Sequence, residues 1–345
     1  MDIMEEYDKN HNIYVDFLSY FKDTVNRILT NESINIQSID SRVKDRNSLE
    51  KKIKTKKKYK SIDEITDICG IRVITYFTDD VNRIASFLKS EFEIDEANSI
   101  DKRNIEDPTK FGYVSLHYIV SLKENRASLA ELRPFKGLKI EVQIRTILQH
   151  AWAEIEHDLG YKTAVDIPIN IRRSFSRLAS IIELADEEFV RIKSSMQSYS
   201  EQVKLGLESN NHKIRIDVIS ILTFLTNDAD YLKFSKKMAK ELNLPLDNDV
   251  ESKIAKNIIS RIIVHCGQLG IDSIGKMKEV FFKYAFLLPD LYEKEKNGGL
   301  AGIGLISPLI SVFDTILNSD KGLLISEEEF KLLYDESLYE ELFYD

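Results

Sequence analysis

Two short stretches set acids and bases where they can act together. In LKIEVQIRT (138–146), alternation puts Leu138, Ile140, Val142 and Ile144 on one face and Lys139, Glu141, Gln143 and Arg145 on the other. The apolar face marks a buried strand, and the acid, amide and base opposite it call for a partner. TDICGIRV (66–73) offers one, with Asp67 just ahead of a second strand and Arg72 inside it. A third strand-like segment, YVSLHYI (113–119), gathers Tyr113, Ser115 and His117 on one face. Arg42, Lys44, Ser48 and Lys52 stand upstream of all three.

Two carboxylates from separate strands are what magnesium takes, since that ion is held by one or two carboxylates together with substrate phosphates. Lysines and arginines neutralise phosphate oxygens, and an aromatic face carries a base. The pattern outlines a nucleotide site. A plainer reading stays open at this point, with Arg72 and Arg145 as salt-bridged strand residues and Tyr113 as an ordinary sheet aromatic.

The elements that must position these residues follow from periodicity. Tyr14, Phe17, Leu18, Phe21, Val25 and Ile28 form one helical stripe over 5–30. An extended piece (34–44) leads to a helix starting near Ser48, and Ser61 with Glu64 three residues on reads as a capping-box start. Strands are expected at 71–77, 113–122 and 138–145, with an amphipathic helix at 80–92. After Thr146, Leu148, Trp152, Ile155 and Leu159 share a helical face. Strands interleaved with helices predict an α/β (α+β) fold, a mixed β-sheet flanked by helices. From Pro168 strand signals vanish. Residues 170–206 read as one long helix, NNHK (210–213) as a linker, and the remainder as helices. Two domains are therefore expected, 1–205 and 206–345, the second all-helical.

Bulk properties narrow the class. The 345 residues are 43% hydrophobic and 30% charged, with net charge −9, as in a folded and not a disordered chain. The acidic, polar start MDIMEEYDKN is neither a signal nor a transit peptide, and no apolar run reaches membrane length, so a cytoplasmic location is expected. Cys69 and Cys266, both inside apolar stretches, read as buried free thiols. Charge is uneven. Residues 42–60 hold ten lysines and arginines against two acids, Asp45 and Glu50, while 326–345 is acidic. The glycines of NGGLAGIG (297–304) read as an interhelical turn, since no strand precedes them and no GK[ST] follows. His150, Glu154 and His157 share a helical face, but E-x-x-H occurs there once, and di-metal bundles use it twice.

Five segments in order resemble the synthetase domain of the RelA/SpoT family, the (p)ppGpp synthetases, and especially its small single-function members. SRVKDRNSLEKK (41–52) resembles R-x-K-x-x-x-S-x-x-x-K, and DICGIRV (67–73) resembles D-x-x-G-x-R. GYVSLH (112–117) resembles G-Y-x-S-x-H, EVQIRT (141–146) resembles E-[IV]-Q-[IV]-R-T, and WAEIEHDLGYK (152–162) completes the set. The resemblance covers roughly residues 10–200. It implies a nucleotidyltransferase-like synthetase domain that moves pyrophosphate from ATP to the ribose 3′-hydroxyl of GTP or GDP and releases AMP. It also implies that Asp67 and Glu141 bind Mg2+, with Glu141 placed to help deprotonate the acceptor. Arg42 and Arg72 would sandwich adenine, and Lys44, Ser48 and Lys52 would hold the ATP phosphates. Tyr113, His117, Gln143 and Arg145 would form the acceptor side. A homo-oligomer is expected. The sole His-Asp pair, His157-Asp158, lies inside a synthetase motif, so no hydrolase activity is expected.

The acceptor loop departs from the family pattern, with Phe111 where Asn is common and Val114 where Arg is common. Lys102, Arg103 and Lys110 precede it and offer charge to an acceptor triphosphate. Other acceptors therefore stay open. Some small relatives modify the 3′ CCA end of tRNA, and others make adenosine alarmones. A non-enzymatic module that senses nucleotide or RNA is a further alternative. The basic run beyond Lys52 fits RNA contact or a solvated face equally well.

Overall fold

The computed structural model describes residues 2–101, 115–161, 168–209, 211, 213–250, 252–297 and 302–318. Its compact units are Met1–Lys193 and Ser194–Asp345.

In the first unit, helix α1 (Ile3–Asn31) buries Tyr7, Tyr14, Phe17, Leu18, Phe21, Val25 and Leu29. This is the expected stripe, except that Leu29 and not Ile28 closes it. It packs beneath a sheet formed by β1 (Ile36–Val43), β2 (Cys69–Thr75), β3 (Phe92–Ile94), β4 (Ile100–Asp101), β5 (Leu116–Leu122) and β6 (Ile140–Thr146). The order is β1-β2-β6-β5-β3, with β4 also on β5. The β2–β6 pair is parallel and the others are antiparallel, so the sheet is mixed, as expected. One face is apolar: Ile71, Val73, Leu116, Tyr118, Val120, Ile140, Val142 and Ile144 are buried in a continuous core with α1. Burial of such side chains stabilises by roughly 1.5–3 kcal/mol each, which fixes the register and so commits the other face to the polar residues.

Helices α2 (Arg46–Lys56), α3 (Thr78–Glu91) and the short α4 (Glu124–Ala127) connect the strands, and α5 (Ile147–Tyr161) leaves directly from β6. The Ser61–Glu64 capping box starts no α-helix. Residues Ile62–Glu64 make a single 3-10 turn without a side-chain cap, and the Glu64 carboxylate accepts from the Lys60 amide at 2.8 Å. Ile62 and Ile65 are both buried, and the chain must be extended by Cys69, which leaves no room for a second turn. The expected stripe of α5 is only half realised: Trp152 is half-buried, while Ile155 and Leu159 are exposed. Helix α6 (Ile169–Glu208) runs unbroken through both the 193/194 division and the 205/206 boundary expected from sequence.

The second unit is helical: α7 (Val218–Asn227), α8 (Ala229–Glu241), α9 (Lys253–Gln268), α10 (Ile274–Tyr284), α11 (Leu288–Asn297) and α12 (Ser307–Asn318). Phe224, Tyr231, Ile259, Phe281 and Phe313 centre its core. Its one small parallel pair among the described residues joins β7 (Leu246–Asp247) to β8 (Ile303–Gly304), so the last two residues of the glycine-rich stretch are strand. Gly298 and Gly299, Asn210 and His212 of the expected linker, and the acidic 326–345 lie outside the described residues. Cys69 and Cys266 are buried free thiols, each pushed up to about 12 by burial. Among the described residues no helix is long and apolar enough to cross a membrane.

Candidate active site

The polar face of the sheet is built in two cross-strand rows. Arg42 on β1 lies opposite Gly70 on β2, which lies opposite Glu141 on β6. In the next row Asp40 lies opposite Arg72, Arg72 opposite Gln143, and Gln143 opposite His117 on β5. Residues in direct register share a face of the pleat, so the two rows form one floor. Gly70 leaves a gap between an arginine and an acid. A Cβ there would have Arg42 O as its nearest neighbour at 3.9 Å, so the missing side chain is open space and not a packing need.

Over this floor is a cavity of about 140 Å3 lined by Asp40, Ser41, Arg42, Lys44, Asp67, Gly70, Ile71, Arg72, Glu141 and Gln143. Six of the residues expected from sequence therefore meet at one place. Asp67 arrives from the turn before β2. Lys44 is brought to it by a backbone bond, its amide donating to Ile68 O at 2.8 Å, and Tyr7 anchors the same residue by donating its hydroxyl to Lys44 O at 2.5 Å. Asp45 caps α2 by accepting from the Asn47 and Ser48 amides at 2.9 and 3.1 Å, which starts the helix that carries Lys52. Lys44 Nζ then lies 3.0 Å from Asp67 Oδ2 and Lys52 Nζ 2.7 Å from Asp67 Oδ1.

Glu141 is held differently. Its Oε1 lies 3.1 Å from His117 Nδ1, and its Oε2 accepts from Gln143 Nε2 at 3.2 Å. Burial pushes both acids up, yet both lie below the usual carboxylate range. The Lys52 and Lys44 ammoniums together outweigh burial at Asp67, and the hydrogen bond and charge of His117, with the Gln143 hydrogen bond, together do so at Glu141. The charge of Asp67 opposes ionisation of Glu141, so the two acids are close enough to feel each other.

This donor set fits magnesium. Both acids are ionised, hard oxygen donors on one cavity wall, and among the described residues no group of three His, Cys, Asp or Glu is placed to hold a metal. Such an ion would take two protein carboxylates and complete its sphere from substrate and water, as magnesium does in phosphate-transfer sites.

The remaining expected residues divide. Ser48 is exposed on the first turn of α2 and is not among the lining residues. Arg145 is buried and not among the lining residues, with Nη2 3.4 Å from Glu154 Oε1. Tyr113, along with Lys102, Arg103, Lys110, Phe111 and Val114, lies outside the described residues. Sequence reading missed Asp40 and Ser41 of β1, although Asp40 stands two residues from Arg42 and so on its face. It also undervalued Glu154. Its Oε1 accepts from Arg72 Nη1 at 3.0 Å and lies 3.6 Å from His150 Nδ1. Burial, then the charges of Arg145 and Arg72, lower the pKa of His150 and favour its neutral form.

Comparison with known proteins adds an independent finding. Residues 41–166 match the model of the region found in RelA / SpoT proteins. The chain is 30% identical over 169 residues to the GTP pyrophosphokinase YjbM of Bacillus subtilis, covering 47% of this chain and 74% of that protein. It is 31% identical over 134 residues to the GTP pyrophosphokinase YwaC of the same organism, covering 39% of this chain but only 60% of that protein. Among solved structures, small alarmone synthetase 1 from Bacillus subtilis aligns with 56% of this chain and 99% of its own, at 26% identity and a TM-score of 0.47.

Proposed function

Because the chain belongs to the RelA/SpoT family, we propose that it is a pyrophosphokinase that transfers the β,γ-pyrophosphate of ATP to the ribose 3′-hydroxyl of GDP or GTP and releases AMP. The observation that carries this reading is the meeting of Asp67, Glu141, Lys44, Arg42 and Arg72 around one cavity. Transfer of this kind needs alignment and charge neutralisation more than covalent help.

Lys44 and Lys52 neutralise the donor phosphates. Arg42 and Arg72, on adjacent strands, present guanidinium planes to the adenine. Glu141 holds the proton of the attacking hydroxyl at a carboxylate oxygen, and His117 and Gln143 fix the direction of that carboxylate. Asp67 and Glu141 would hold Mg2+, which would supply positive charge to the phosphate oxygens. Gln143, His117 and Tyr113 form the acceptor side.

A tRNA 3′ end is the second reading. Lys51, Lys54, Lys56, Lys57, Lys58 and Lys60 are exposed along and just beyond α2, and such a face attracts a polyanion without reading sequence. The reaction proposed is cytoplasmic and the active species a homo-oligomer. Incubation with ATP labelled in its terminal phosphate and separately with GDP, GTP, ATP or tRNA tests the reading. Label is expected on the guanosine nucleotide, with AMP released in equal amount. Label on tRNA alone transfers the assignment to the second reading.

A further inference from the structure

Both lysines assigned to the ATP phosphates already sit on a carboxylate. Lys52 Nζ is 2.7 Å from one Asp67 oxygen and Lys44 Nζ is 3.0 Å from the other. The three side chains are 19%, 16% and 23% exposed, so bulk salt screens these pairs only weakly. They are also built in and not chance surface encounters. The Lys44 backbone is tied to Ile68, and Lys52 Nζ lies 5.6 Å from the centre of the Tyr59 ring.

A polyphosphate that enters alone must draw both ammoniums off Asp67. It leaves behind a partly buried carboxylate that has lost its partners and faces phosphate, an expensive state. A polyphosphate that arrives with its divalent ion makes an exchange instead. The lysines turn to phosphate, the ion's charge replaces them at Asp67, and no charge is left unpaired. Glu141 offers the contrast within the same cavity, because its hydrogen-bond partners are His117 and Gln143, neither of which is assigned to the donor phosphates.

We propose that Asp67, through its pairs with Lys44 and Lys52, is the residue that makes the cavity select a nucleotide polyphosphate carrying its divalent ion over the bare polyphosphate. The inference rests on the assignment of the two lysines to the donor phosphates in the function proposed above. It gives Asp67 a role in recognition that begins before the ion is in place.

Calorimetric titration of the full chain with α,β-methylene-ATP, in EDTA and again in Mg2+, tests it. In EDTA, Asp67→Asn is expected to bind the analogue roughly tenfold or more tightly than wild type, since charged hydrogen bonds of this kind no longer oppose entry. Its preference for the Mg2+ form collapses accordingly. Glu141→Gln in EDTA is expected to stay near wild type. If Asp67→Asn is no tighter than wild type in EDTA, the proposal is overturned. Equal gains in both variants also overturn it, because simple repulsion between cavity and phosphate then suffices. Should Asp67→Asn fail to fold, Asp67→Ser takes its place in the same comparison. If wild type binds the analogue in neither condition, the nucleotide reading itself fails and takes this inference with it. Binding in Mg2+ with no gain in Asp67→Asn defeats only the inference.

Discussion

Asp186 on α6 is buried to 2% exposure beneath the end of β6, where the Thr146 hydroxyl donates to its Oδ2 at 2.8 Å. Burial pushes its carboxyl up to about 6, against an ordinary value of 3.8, with the Thr146 and Gln149 hydrogen bonds only partly opposing it. The folded state therefore holds this proton more tightly than the unfolded chain. The stability this contributes is complete below about pH 4 and is lost as pH rises through 6. At 1.36 kcal/mol per unit, the loss from well below pH 4 up to pH 7.5 is about 3 kcal/mol, and about 2 kcal/mol of it falls between pH 4.5 and pH 7.5. Asp186→Asn cannot ionise and escapes that loss. Thermal melts of wild type and variant at pH 4.5 and 7.5 read it out. The variant's melting temperature relative to wild type is expected to rise between the two pH values. For a unit of this size the rise is roughly 4–8 °C at 2–4 °C per kcal/mol. Whatever the amide costs in packing is common to both pH values and cancels. A melting difference that is the same at both, or larger at pH 4.5, refutes the reasoning.

Other expectations follow from the cavity. Gly70→Val places a branched side chain in the gap between Arg42 and Glu141, where the first carbon meets nothing closer than 3.9 Å. The melting temperature should hold while affinity for an ATP analogue falls at least about tenfold, which calorimetry measures. Glu141→Gln keeps shape and removes charge, and should cost on the order of 3 kcal/mol in the transfer barrier, a rate loss of about a hundredfold in a product assay. Asp67 and Glu141 both lie below the usual carboxylate range, so the stability they contribute is present above their ordinary values and lost only as pH falls through the lower ones. Carboxyl carbon NMR should find both midpoints below 3.8 and 4.5 respectively, and either one higher would contradict the pairing.

The frame of the first unit was legible because alternation is a strong signal in strands buried on one face. The apolar sets of β2 and β6 had to face α1, and that alone turned Gly70, Arg72, Glu141 and Gln143 toward the cavity. Strands β3 and β4, of three and two residues, are too short to carry a period. The capping box at Ser61 misled because two buried isoleucines and an imminent strand overrode a local helix signal. Arg145 obeys the alternation of β6 but sits at its exit into α5, where Glu154 meets it, so its face was right while its immediate partner was not visible in the spacing. Ion pairs such as those from Lys44 and Lys52 to Asp67 join residues fifteen or more positions apart, and no local pattern encodes them. The helical second unit could be read only as helical, since its chemistry-bearing residues have no periodic signature beyond a core.

One product assay bears most directly on the central claim, that two acids and a cationic cradle in one cavity move pyrophosphate between nucleotides. Wild type and Glu141→Gln, each shown to be folded by its melt, are given Mg2+, terminally labelled ATP, and GDP or GTP. The expected result is labelled 3′-pyrophosphorylated guanosine nucleotide and stoichiometric AMP from wild type, with the variant reduced about a hundredfold. Equal product from a folded Glu141→Gln protein, or AMP release with no label on any acceptor, would contradict the account.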